Sequence, residues 1–324
     1  MASGTLLTYG PANIDSLLAT SRSVILKLSD FLADNVFTGV PLLNYLNQKA
    51  KVEKSGGASI LVPIMSGKNG TAKSYTGLQI LDTTPQEGMT MAQFTWRKYA
   101  ASVAIAEDEV LANAGDGKLN DIVKGKVMQA TLSVKDKIDI DLFAAAQVST
   151  AVQSLPLLVD ATSTIADINS TTNSFWQASV TASGSFAGQG LSDLRAAWNT
   201  VMIRGQSGGV PDFLVTTQAV LQFYEATLEP GRRYEGNEKL GHAGFENFKF
   251  KSATITFDPN VATGELYMLS SQHLKYVVHS QRNMKLGEWV KPSNQDGRVA
   301  QMFWMGNLVT DNRRKLAKLT GVTA

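Results

Sequence analysis

Hydrophobic residues change their spacing along the chain, and each change marks an element. In the first segment Ile14, Leu17, Leu18, Ile25, Leu28 and Leu32 recur at helical intervals, and Pro11 and Asn13 supply a start. Such a stripe serves either as a helix docked on its own domain or as an arm packed on a neighbouring subunit. From Ser55 to Ile105 the pattern is one of strands and turns. The run Ile60 to Met65 leads to a tip near Gly67 to Gly70, and the chain returns through Tyr75, Leu78 and Ile80. Pro85 and Gly88 mark another break. Beyond it Ala92, Phe94 and Trp96 point one way, and Met91, Gln93, Thr95, Arg97 and Tyr99 the other. A short helical piece begins at Glu107 and Asp108 and ends at Gly115. Leu119, Val123, Val127, Ala130, Val134, Ile138 and Leu142 then repeat every three or four positions, predicting one helix from about 118 to 147. At ~1.5 Å per residue it is ~45 Å long, a strut along a whole domain.

Residues 149–190 are rich in Ser, Thr, Ala and Gly and read as a loop-rich boundary with short strands. A helix from Ser192 to Arg204 follows, with Leu194, Ala197, Trp198, Val201 and Met202 on its apolar face and Gly205 as its stop. Phe213-Leu214-Val215 is a short buried strand, and Thr217 caps a second helix carrying Val220, Leu221, Tyr224 and Leu228. Strand, helix and strand in that order predict an α/β layer. A polar loop, 229–247, is longer than ordinary connections and holds Arg232, Arg233 and Tyr234. From Phe248 onward the pattern is β. The fold class read from this succession is α+β.

A chain of 324 residues with 44% hydrophobic composition can bury one large core or two ordinary ones. The formal net charge of +2 gives no dominant sign, which argues against a protein that condenses nucleic acid by itself. There is no cysteine, so disulfides, thiolate nucleophiles and zinc–thiolate sites are excluded. The N-terminus lacks the pattern of a secretion signal, and no apolar run reaches the roughly 20 residues that span a membrane.

Several motifs invite a chemical reading. Ser66 to Ser74, SGKNGTAKS, approaches a phosphate-binding loop. However, Ala72 stands where the motif has glycine, and the pattern that follows is not helical, so no helix N-terminus faces an anion. The tip of an extended β-hairpin is the better reading. A lone ribbon is marginal in water, so it must lie on something, and another copy of the chain is the simplest candidate. Asp136, Asp139 and Asp141 read as a solvated, charge-paired face, because helical spacing does not converge all three. His273 and His279 flank a strand and could share a face, but two imidazoles make no metal site. A soluble hydrolase using that face is a remote alternative, since no nucleophile–base pair accompanies it. Arg313, Arg314, Lys315 and Lys318 form a basic cluster that serves either nucleic acid or ion pairs, with ion pairs favoured in a nearly neutral chain. No catalytic, cofactor-binding or metal site is assigned.

The order of parts, together with PDFLVTTQAVLQFYE (211–225), GFENFKFKSATITFDPN (244–260), LYMLSSQHLKYVVH (266–279) and GNLVTDNRRKLAKLTG (306–321), resembles the major capsid proteins of tailed bacteriophages, with the Hong Kong 97 fold. The resemblance implies an N-terminal arm (1–54), an extended β-hairpin loop lying over a neighbouring subunit (55–98), a peripheral domain with a long spine helix (99–155 and 270–324) and an axial α/β domain (156–269). It implies self-assembly into pentamers and hexamers of an icosahedral shell around double-stranded DNA, contacted non-specifically, in a virion assembled in the bacterial cytoplasm. It implies a separate scaffolding protein and a portal, with a decoration protein as a further partner, and no enzyme, cofactor or membrane. Subunit-contact candidates are Lys68, Asn69 and Lys73 in the hairpin loop and Arg232, Arg233 and Tyr234 in the polar loop. Some relatives join Lys to Asn covalently, but no partner signature is visible here. An encapsulin-like compartment shell, which shares the fold, is the alternative.

Overall fold

The computed structural model describes residues 39–112, 116–204, 208–228 and 248–324. The helical stripe of residues 14–32 and the polar loop with Arg232, Arg233, Tyr234 and His242 lie outside them. A short helix, α1 (Pro41–Tyr45), runs on as a wider turn, Leu46–Ala50. Pro41 suits the first helical position, where its missing N–H would have had no acceptor. Strand β1 (Lys51–Lys54) follows, then the hairpin β2 (Ser59–Met65) and β3 (Met89–Thr95), and the longer β4 (Arg97–Ala106). The helices α2 (Glu107–Ala112) and α3 (Asp116–Leu142) come next. Leu42, Leu43 and Leu46 are fully buried in the main core, so the stretch from 41 onward, expected as part of an arm, is built into the chain's own domain.

The run from Met91 to Ile105 is two strands rather than one. It breaks at Trp96, whose Nε1–H donates to the Gly57 carbonyl at 2.8 Å, and β4 then turns to a different partner. Helix α3 buries Ala130, Val134, Ile138 and Leu142, as the periodicity requires, but it stops at Leu142 instead of 147. The reason is local. Ser154 donates its hydroxyl to the Ala144 carbonyl at 2.5 Å. The Gln147 amide donates to the carbonyls of Ala151 and Val152 and accepts from the Ser154 N–H. The Ala144 carbonyl, which a further helical turn would have used, is thus taken by a side chain, and Gln147 binds the main chain that folds back past it.

After α3 come α4 (Leu155–Leu158), the small hairpin β5 (Thr164–Ile165) and β6 (Ile168–Asn169), β7 (Ser179–Ala182), α5 (Leu191–Ile203), β8 (Phe213–Thr216) and α6 (Gln218–Leu228). The remainder is β9 (Phe248–Phe250), β10 (Ala253–Phe257), β11 (Leu266–Leu269), β12 (Leu274–His279), β13 (Lys285–Leu286), β14 (Gly297–Thr310) and β15 (Ala317–Thr320). One sheet runs β1–β12–β14–β13, with β4 also on β14. The other runs β7–β15–β11–β8–β10–β9. The segment 270–324 therefore divides between the sheets, since β15 sits between β7 and β11 in the second.

Strands β8 and β11 explain why Phe213 to Val215 shows no polar alternation. Phe213, Val215, Tyr267 and Leu269 feed the main core on one face, while Leu214, Leu266 and Met268 meet α5 and α6 on the other. A strand covered on both faces reads as a continuous apolar run. In the first sheet Trp304 stacks on Tyr276 at 5.6 Å and meets Tyr99 edge-on at 5.5 Å. Gly306 is required there: a Cβ would stand 2.5 Å from the Val277 carbonyl and 2.6 Å from the Trp304 ring.

Candidate subunit-contact surface

The hairpin has two unlike faces, set by the period of two along its strands. Ile60, Ile64, Ala92 and Phe94 point inward and join the main core. The ribbon thus lies on its own subunit by that face. Outward, Leu61 and Met65 face solvent with Met89 and Met91, and Met65 stands directly opposite Met89 in the register. The loop between the strands, 66–88, carries Tyr75, Leu78, Ile80 and Leu81. Met65 is 78% exposed, Met89 83%, Ile80 92% and Leu78 105%. Large exposed apolar side chains gathered on one ribbon and its loop are what monomeric proteins avoid and interaction surfaces display.

The loop is held by its own polar groups. Asn69 accepts from the Thr71 N–H at 2.9 Å and its hydroxyl at 2.6 Å. Asp82 does the same with Thr84, and these bonds, the hydroxyl first, hold its carboxyl below the usual range. Lys73 donates to the Ile80 carbonyl at 3.1 Å. Lys68, Asn69 and Lys73 are all exposed, as expected of a tip, but Asn69 and Lys73 are engaged within the loop. No helix follows Ser74, so the phosphate-loop reading fails on structure as it did on sequence.

The basic cluster near the C-terminus is corrected. Arg313 and Lys315 are buried, and among the described residues neither forms a salt bridge. Arg313 donates to the main-chain carbonyls of Leu157, Leu158, Asp160 and Ser163 and to the hydroxyls of Ser163 and Ser170. Burial pulls its pKa down to about 10, far enough above neutrality to leave it charged. Lys315 donates to the Val201 and Met202 carbonyls at the C-terminal end of α5, where a cation suits the helix dipole. No spacing rule marks an Arg as buried among carbonyls, so the sequence hid this.

The aspartate face is corrected at one position. Asp141 is charge-paired, with Lys137 at 2.7 Å, and it accepts from the Tyr99 hydroxyl. Asp139, however, is fully buried rather than solvated; its carboxyl faces that of Asp258, just beyond β10. Desolvation and the neighbouring carboxyl push its pKa up, and burial does the same to Asp258. His273 and His279 cap opposite ends of β12 and do not converge. His273 Nδ1 meets Asp311 at 2.7 Å, and His279 accepts from the Gln281 N–H. Among the described residues no three acidic or imidazole ligands gather.

No protein-family model and no curated protein matches this sequence. Solved structures do match, over nearly the whole chain. The capsid asymmetric unit of cyanophage A-1(L) superposes with a TM-score of 0.68 at 16% identity, covering 93% of this chain and 98% of that one. The capsid of the Myoviridae phage XM1 gives 0.55 at 13% identity, covering 98% and 100%. The SrpI encapsulin of Synechococcus elongatus PCC 7942 gives 0.55 at 9% identity, covering 94% and 95%. The chain has the mixed α/β fold of these shell proteins.

Proposed function

We propose that this chain is the major capsid protein of a tailed bacteriophage, assembling into the pentamers and hexamers of an icosahedral shell that encloses double-stranded DNA. The observation that carries the reading is end-to-end likeness to phage capsid subunits, with nearly all of both chains covered. The apolar outer face of the hairpin and its loop supports it. A chain that exposes Leu78 and Ile80 almost completely has a use for them, and a neighbouring copy is the simplest cover. In this reading residues 55–98 are the extended loop, α3 is the spine helix, the first sheet belongs to the peripheral domain, and β8, α6 and β10 belong to the axial one. Residues 1–54 open with the arm. Lys68, Asn69, Lys73, Arg232, Arg233 and Tyr234 are contact candidates. Scaffolding protein, portal and decoration protein are its partners, DNA is touched without sequence preference, and the role is structural rather than enzymatic.

Electron microscopy of the purified chain, expressed alone and with a co-expressed scaffold candidate, tests this. Closed shells or capsomer rings are expected. A monodisperse monomer under both conditions overturns the reading. The encapsulin match supports one second reading, a cellular compartment shell. Protein cargo in place of nucleic acid inside the particles selects it.

A further inference from the structure

We propose that Asp139 and Asp258 form a proton-held latch, which fastens α1 and the turn after β10 to the long helix α3 and loosens as pH rises. The two carboxyls come from elements far apart in sequence and are 0% and 1% exposed. They lie within hydrogen-bonding reach of each other. Each keeps one buried oxygen, Asp139 Oδ1 and Asp258 Oδ2, that no group among the described residues donates to. Their other bonds tie three elements together. Asn260 donates its side-chain amide to Asp139 Oδ2 at 2.8 Å and its N–H to Asp258 Oδ1 at 3.0 Å, and the Leu42 N–H of α1 also donates to Asp258.

Two ionised carboxylates cannot hold this position. One proton shared between them converts the orphaned oxygens into a short charge-assisted bond, the arrangement of paired acids elsewhere. The surroundings favour keeping that proton. From α3 the charged neighbour acting on Asp139 is Asp136, also acidic, while Lys137 is taken by Asp141. From α1 comes only the Leu42 N–H, since the Tyr45 hydroxyl is committed to Asp212. From β11, Tyr267 is bonded to Glu265. Among the described residues neither carboxyl enters an ion pair. A carboxyl whose pKa is raised by folding binds more protons in the native state than in the unfolded chain. Its contribution is therefore present below the ordinary Asp range and lost as pH climbs through the raised value. When the latch opens, Tyr45 still holds α1 at Asp212 and Ser271, so the helix end at Leu42 is what moves.

Hydrogen exchange on the purified full chain, read at the Leu42 and Asn260 amides from about pH 6 to about pH 9, tests the latch. Wild type is expected to lose protection beyond the intrinsic effect of pH, about tenfold per pKa unit. Asp258→Asn and Asp139→Asn supply an amide donor in place of the proton, so each is expected to hold its protection across the range. Isotope-edited infrared spectra of labelled wild type are expected to show a protonated-carboxyl band near neutral pH that vanishes at high pH. Wild-type exchange that follows only the intrinsic pH effect overturns the latch. So does a folded Asn variant as pH-dependent as wild type, or the absence of the band, which decides the matter even where both variants fail to fold.

Discussion

Arg313 shows how a charge can be buried among main-chain carbonyls, with the Asp160 carboxylate nearby but not in a salt bridge. Its guanidinium lies against the chain segment 157–163, where the carbonyls of Leu157, Leu158, Asp160 and Ser163 accept from it, and Trp176 lies within 5.8 Å of the guanidinium carbon. Partial charges of main-chain dipoles replace water. The fork geometry matters, because five fixed N–H groups reach acceptors that three rotating ones cannot. Arg313→Lys is expected to lower stability by about 3 kcal/mol, since it leaves several buried carbonyls without donors. The urea midpoint of the unassembled chain measures this; a change under about 1 kcal/mol means the loop is held by other contacts.

At the scale of elements, the hairpin is the place where sequence and structure are best compared. Its alternation was legible: Ala92 and Phe94 point in, Met91 and Gln93 out, and the SGKNGTAKS stretch begins the exposed loop at its tip. What alternation does not reveal is the surface that the inner face meets. The sequence suggested another copy, while Ile60 and Phe94 lie on the chain's own core. The end of α3 was missed for a related reason. It depends on Gln147 and Ser154 reaching main-chain groups across a turn, which has no periodic signature. The Asp139–Asp258 contact joins positions far apart in the chain and is invisible to any local reading. Because the exposed loop contributes nothing to the buried core, removing residues 66–74 is expected to leave the subunit folded and to weaken its shells. Normal particle yield and stability would count against a role in contacts. Leu78→Ser with Ile80→Ser is the milder form, expected to reduce particle yield several-fold with the thermal midpoint of the free subunit within about a degree. Burying each of those side chains is worth about 2 kcal/mol per copy.

At the scale of the whole molecule, the described residues form two apolar clusters, but not two independent ones. Strands β8 and β11 supply alternate residues to both, so neither cluster can disperse while the other keeps its sheet. The free subunit is therefore expected to melt in a single calorimetric transition. Trp304→Ala in one cluster and Trp198→Ala in the other should each lower that same transition, by about 3–5 kcal/mol. Two resolved transitions, each moved by only one of the variants, would show that the clusters unfold separately.

The outer face of the hairpin stands apart from this economy of shared walls. Among the described residues Leu61, Met65, Met89 and Met91 stand largely or half exposed, so intrachain packing there places little limit on how they drift. In a shell of identical copies a single gene encodes both the face and whatever covers it. A substitution there appears on every subunit at once, and its remedy must arise elsewhere in the same reading frame. Divergence between relatives should then proceed in matched pairs of distant positions, one on the ribbon and one on the surface that receives it.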